Sequence, residues 1–285
     1  MKKVGYFFFC FLPMLASFAL QFAAVLPVLG FILLGVCYSH VFSGVKISYN
    51  ELVMQLSGVY SNPSVALLAS ICFAACGILI FGIWYVYQFG GDLRQPSQIF
   101  SHQKVLIALA LLVPGLQILS SILTAFSASL FPGWMEFYEK LMETVGFTGS
   151  GSVSLLLVLY AVLLGPIEEE FLFRGVIFSS AKKALPFWAA NLFQALLFGL
   201  FHLNLIQGIY AFFIGLFLGF VCSRSGSIYY SVFLHILFNG WGTFVSAGSV
   251  MLIGISIICG IAGFILFCRN TSPAAVKHPS DFSDI

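Results

Sequence analysis

The sequence predicts an all-α, polytopic membrane protein of about eight transmembrane helices. Three observations predict it. Hydrophobic residues fill 60% of the 285 positions and charged residues only 8%, against about 25% in a soluble domain. The mean hydropathy is +1.05. Apolar runs near the roughly 20 residues that cross a bilayer as a helix recur along the chain. A surface this poor in charge cannot face water, so most of it faces lipid. The net charge of +2 comes without a basic cluster, which excludes nucleic acid as a partner. The seven cysteines lie mostly within apolar runs. They read as small core residues, not as a disulfide framework.

The spans are expected at about 6–38, 64–87, 105–128, 153–179, 187–205, 208–223, 227–246 and 248–268. Gln21 and Pro27 are expected to break or kink the first, which is long for one crossing. Met1-Lys2-Lys3 and the apolar stretch behind it have the make-up of a signal peptide. The stretch continues well past any cleavage point, so it is read as a span. Segments 45–62 and 131–147 read as interfacial. In the second, Glu136, Glu139, Lys140 and Glu143 fall at helical spacing among aromatic residues. Gly146, Gly149 and Gly151 mark a flexible approach to span four. No repeat is visible.

Three regions follow: 1–150, an N-terminal transmembrane region of about three spans; 151–268, a catalytic transmembrane core; and 269–285, a polar cytoplasmic tail read as disordered. Cytoplasmic loops carry the excess of Lys and Arg. With the N-terminus inside, Lys2, Lys3, Arg94, Lys104, Lys182, Lys183, Arg224, Arg269 and Lys277 fall on the cytoplasmic side and only Lys46 and Lys140 opposite. Both termini are therefore expected in the cytoplasm of a multi-pass cell-membrane protein, with the lipid bilayer as its solvent.

Charge at the bilayer centre costs at least about 2.5–3.5 kcal/mol, so each intramembrane ionisable residue needs a reason. Here they are Glu168, Glu169, Glu170, Arg174, His202 and His235, with the polar Asn239. At 1.5 Å per residue, Glu169, His202 and His235 each lie about 17–24 Å in from a cytoplasmic marker. That common depth predicts one cavity lined by three helices. Glu170 and Arg174 are four apart, as are Phe198 and His202, and His235 and Asn239, so each pair shares a helix face. Glu169 and Glu170 point about 100° apart, which lets one face a cavity while the other meets Arg174. Glu168 has no partner by spacing and reads as the bystander. A glutamate with two histidines and an asparagine can activate water and stabilise an oxyanion, or ligate a divalent metal. The plainer readings are hydrogen-bonded packing histidines and a structural ion pair; convergence of three clusters favours function.

At these residues the chain resembles the CPBP family of intramembrane proteases, the Abi or type II CAAX-protease family. Glu169-Glu170-F-L-F-Arg174, Phe198-G-L-F-His202 and His235-I-L-F-Asn239 match its three motifs in order, the first within the fuller string from Pro166 to Gly175. The resemblance covers about 158–245. It implies an endopeptidase acting on a membrane-associated protein or peptide, of the CAAX or bacteriocin-processing kind. Glu169 would activate the water with help from His202, His235 and Asn239 would stabilise the oxyanion, and Glu170 and Arg174 would shape the site. It leaves open a metal-free, glutamate-dependent mechanism and a metalloprotease with zinc on Glu169, His202 and His235. The chain lacks H-E-x-x-H. Two other functions fit the same residues: a non-catalytic scaffold or immunity protein, and a proton-coupled transporter. A serine protease does not, because no serine is paired by spacing with His202 or His235.

Overall fold

The computed structural model describes residues 3–43, 48–60, 62–90, 99–145, 154–245 and 250–272. Lys2, Lys46, Arg94, the glycines 146, 149 and 151, and the tail from 273 with Lys277 lie outside the described residues. The fold is all-α: among the described residues the sole extended pairing is one isolated bridge, Ile99 with Thr271.

The chain opens with α1 (Lys3–Phe9) and α2 (Phe11–Ser43). The break between them falls at Cys10, and Pro27 lies inside the continuous α2, so the expected interruption at Gln21 or Pro27 is corrected. The interfacial segments are the helices α3 (Tyr49–Tyr60) and α6 (Pro132–Val145), on either side of α4 (Pro63–Phe89) and α5 (His102–Leu130). Asn62 caps α4 by accepting from the Ser64 N–H, and Pro63 opens it where a missing N–H costs nothing.

From Leu155 to Ala184 the helix alternates in winding: α7 (Leu155–Val158), a π segment (Leu159–Leu164), α8 (Gly165–Glu170), a second π segment (Phe171–Phe178) and α9 (Ser179–Ala184). Then come α10 (Phe187–Phe201), α11 (Leu205–Ser225), α12 (Ile228–Phe244) and α13 (Val250–Asn270). Asn204 and Ser227 cap α11 and α12 with their side-chain oxygens, and Gly226 at φ 69° turns the chain between them.

Among the described residues five helices are long and apolar enough to cross a membrane: Gly5–Tyr38, Pro63–Phe89, His102–Leu130, Leu205–Ser225 and Leu252–Asn270. The other three expected spans fall short of that length and composition as single regular helices. The run from Leu155 is broken in winding. At 15 and 17 residues, α10 and α12 reach only about 22 and 25 Å at 1.5 Å per residue, short of a core about 30 Å thick.

Close backbone contact holds the bundle, as expected where lipid removes the hydrophobic drive between helices. A Cβ on Gly115 of α5 would stand 2.7 Å from the Cα of Gly260 on α13, and one on Gly199 of α10 would stand 2.6 Å from the Gly208 carbonyl oxygen of α11. Cationic residues gather at one end. Arg224 donates to the Thr271 hydroxyl and to the Cys268 and Thr271 carbonyls at 2.9–3.0 Å. Lys183 stacks over Tyr6 and Phe89, and Lys182 over Phe178.

Candidate active site

Pro166 has no N–H to give to the helix ladder, and Gly165 reaches back to the Tyr160 carbonyl, five residues away. The helix widens into its first π segment there. Single π turns inside α-helices are often found at functional sites. Here they bracket α8, which carries Glu168, Glu169 and Glu170.

Glu170 is the hub. Its Oε1 meets Arg174 Nη1 at 2.9 Å and His235 Nδ1 at 3.0 Å, and both carboxylate and guanidinium are fully buried. Arg174 also donates through Nη2 to the Gly215 carbonyl at 3.2 Å and lies 4.5 Å over the Phe198 ring. Charge-assisted bonds and a cation–π face thus replace the water that the guanidinium gave up.

Glu169 points elsewhere. Its Oε2 stands 3.6 Å from His235 Nε2, and its side chain keeps 16% exposure. That separation exceeds a hydrogen bond, so the two groups are free to contact one water together. With Nδ1–H donating to Glu170, the His235 ring is fixed in orientation.

His202 joins through aromatic contact. The Phe198 ring lies 5.1 Å from His202 and 5.8 Å from His235, edge-on to both. Helix α10 has ended by this point: His202 caps it, Leu203 takes φ 52°, and Asn204 starts α11. His202 therefore sits at the end of α10, in the turn that leads to α11. The Asn239 Nδ2 donates to the Ala161 carbonyl in the first π segment at 2.9 Å.

Among the described residues no three His, Cys, Asp or Glu side chains converge on one point. Glu169 and His235 offer two donors, and His202 is not brought into their set.

Sequence reasoning missed Asn191 and Gln194, both buried. Gln194 Nε2 donates to Asn191 Oδ1 and to the Gly215 carbonyl, each at 2.9 Å, and Asn191 donates to the Leu216 carbonyl at 3.1 Å. The Gly215 carbonyl thus ties Gln194 to Arg174. The signal that singled out the other site residues, a polar side chain inside an apolar run, also applied to these two.

Residues 151–241 match the family described as "Type II CAAX prenyl endopeptidase Rce1-like". This part of the chain is similar to that family. The chain is also 29% identical over 133 residues to the Bacillus subtilis (strain 168) protein named "Putative membrane peptidase YdiL". That alignment covers 44% of this chain and 54% of the relative, so the chain spans about half the length of the curated relative it matches. No solved structure matches it. All of the site residues above fall within residues 151–241, the part that matches.

Proposed function

We propose that the protein is an intramembrane endopeptidase that hydrolyses a peptide bond in a membrane-associated protein or peptide, with Glu169 activating the water. One observation carries this reading. Of the two carboxylates, Glu170 is neutralised by Arg174 while Glu169 is left beside His235 Nε2 with part of its surface open. A general base must reach its water, and a structural carboxylate need not.

In the proposed reaction Glu169 takes a proton from water as the oxygen adds to the scissile carbonyl. The carbonyl becomes an oxyanion. When the His235 imidazole carries both protons, its Nε2–H can donate to that oxygen while Nδ1–H stays on Glu170. The Glu169 carboxyl then returns its proton to the leaving nitrogen as the C–N bond breaks. One water is consumed and the acid is regenerated as a base. His202 assists the water in this reading, as the family resemblance implies, and the second N–H of the Asn239 carboxamide remains for the substrate. Residues 151–268 form the catalytic part in this reading, and the N-terminal helices complete the bundle.

The test is a comparison of wild type with Glu169→Gln in the host cell, mapping new protein N- and C-termini by mass spectrometry. Termini present only with wild type are expected, and they name substrates. Identical termini, with both proteins folded and equally abundant, would favour the scaffold reading.

A further inference from the structure

Glu168 lies outside the Arg174 cluster and is only 1% exposed. It faces the opposite way, against α4. A Cβ on Gly77 would stand 2.5 Å from Glu168 Cγ, so the absence of a side chain at 77 makes its room. Its Oε1 has no hydrogen bond of good geometry among the described residues, and the hydroxyl that faces its carboxyl is that of Ser17, fully buried on α2. Buried polar atoms in proteins are satisfied by protein or by ordered water. In lipid an unsatisfied one is costlier still.

A cavity of about 270 Å³ lies between α2 and α4. Its wall carries Gln21 and Ser70 among apolar residues such as Val28, Leu29 and Val65. Gln21 is one turn from Ser17 on α2. Ser70 neighbours the Tyr160 hydroxyl, and Tyr160 lies within electrostatic reach of both Glu168 and Glu169. The outer end of the cavity is at Val65, two residues inside the start of α4. From Val65 to Gly77 is twelve residues, or about 18 Å at 1.5 Å per residue. Polar atoms of Gln21, Ser17, Ser70 and Tyr160 therefore lead from the cavity toward Glu168 and Glu169. The rest of the site is walled by Phe173, Phe198 and Phe201, packed with ring centroids 5.1–5.3 Å apart.

We infer that Glu168, Ser17, Gln21, Ser70 and Tyr160 hold a store of water between the first two crossings and supply it to Glu169. The inference rests on the peptidase reading for its purpose, but not for its existence. A pocket needs polar groups and room to hold water. Gln21 and Ser70 supply the polar groups, and the cavity supplies the room. Each water drawn by hydrolysis is replaced along the Gln21 and Ser70 wall.

The test uses the full chain in liposomes, with its native cysteines replaced, since Cys72 and Cys76 on α4 are exposed. Single cysteines are then introduced as Ser70→Cys, in the cavity wall, and Leu68→Cys, at a residue 45% exposed outside that wall. A cationic methanethiosulfonate reacts with the thiolate, which forms in water and not in lipid. Ser70→Cys should react at least about tenfold faster than Leu68→Cys. Equal rates would overturn the store. In the cysteine-containing protein, Ser70→Val should lower kcat about tenfold with KM unchanged, the pattern of a lost catalytic step and not of lost binding. An unchanged kcat would overturn the supply role. The labelling ratio does not depend on proteolysis, so loss of the peptidase reading and loss of the store give different results.

Discussion

Glu170 Oε1 pairs with the Arg174 guanidinium and accepts from His235 at once, and that double contact separates the fates of two adjacent glutamates. Glu170 is spent on holding Arg174 and orienting the imidazole, while Glu169 remains available. Glu169→Gln should therefore leave the fold intact and reduce turnover by about 10²–10⁴, the usual contribution of a general base. Purified variant and wild type, compared by thermal unfolding and peptide cleavage, check both halves. Arg174→Ala should behave differently. It strands a buried carboxylate and releases the Gly215 carbonyl, and removing one partner of a buried pair costs about 3–5 kcal/mol. A fall in thermal midpoint, present before any activity is measured, is the expected signature. Leu203 offers the opposite case. Its φ of 52° is a left-handed conformation, and its side chain is 71% exposed, so little packing is lost with it. Leu203→Gly should raise stability by about 1 kcal/mol by removing the Cβ clash, read as a higher midpoint. The Glu170–Arg174 contact was legible from four-residue spacing alone. The partner of Asn239 was not, because the Ala161 carbonyl faces it only through the local winding of a π segment, which no residue pattern announces.

At the scale of elements, the site is set by departures from regular helix and by glycines that let backbones meet. The π segments on either side of α8 fix the facing of three consecutive glutamates. The ends of α10 and α12 fix the depth of His202 and the direction of His235. Periodicity located these helices but not their ends, since apolar residues continue through the His202 turn and the stop is made by the Asn204 cap. Gly219 is the most demanding glycine near the site: a Cβ there would fall on the Asn191 side-chain oxygen and crowd Gln194. Gly219→Ala should displace the amide pair that shares the Gly215 carbonyl with Arg174. A loss of about 1–3 kcal/mol is expected for such overpacking, accompanied by reduced activity, whereas Gly254→Ala, where a Cβ meets nothing within 4 Å, should change neither. The interfacial helix α6 carries an exposed Glu136–Lys140 pair at 2.8 Å. Lys140 holds the Glu136 carboxyl below its ordinary range, and such surface pairs contribute little to stability.

At the scale of the whole molecule, the all-α membrane fold was legible because composition alone forbids a water-facing surface. The ends and winding of three of the expected spans were not, because those helices are short or change winding where they carry the polar site. The ends of α9, α11 and α13, with Lys182, Lys183, Arg224 and Arg269, supply much of the positive charge assigned to the cytoplasmic side. We expect both termini there. Reporter domains fused to either terminus should be active only in the cytoplasmic compartment, and a periplasmic-type signal from one of them would require an odd number of crossings.

The central claim is that Glu169 drives addition of water to a peptide bond within this bundle. Purified wild type and Glu169→Gln, each reconstituted in liposomes with a substrate recovered from the cellular comparison, can be incubated in ¹⁸O-labelled water and the products weighed. The account predicts one labelled oxygen in the new carboxyl terminus from wild type, and product from the folded variant reduced by at least about 100-fold. Equal labelled product from the variant would contradict it.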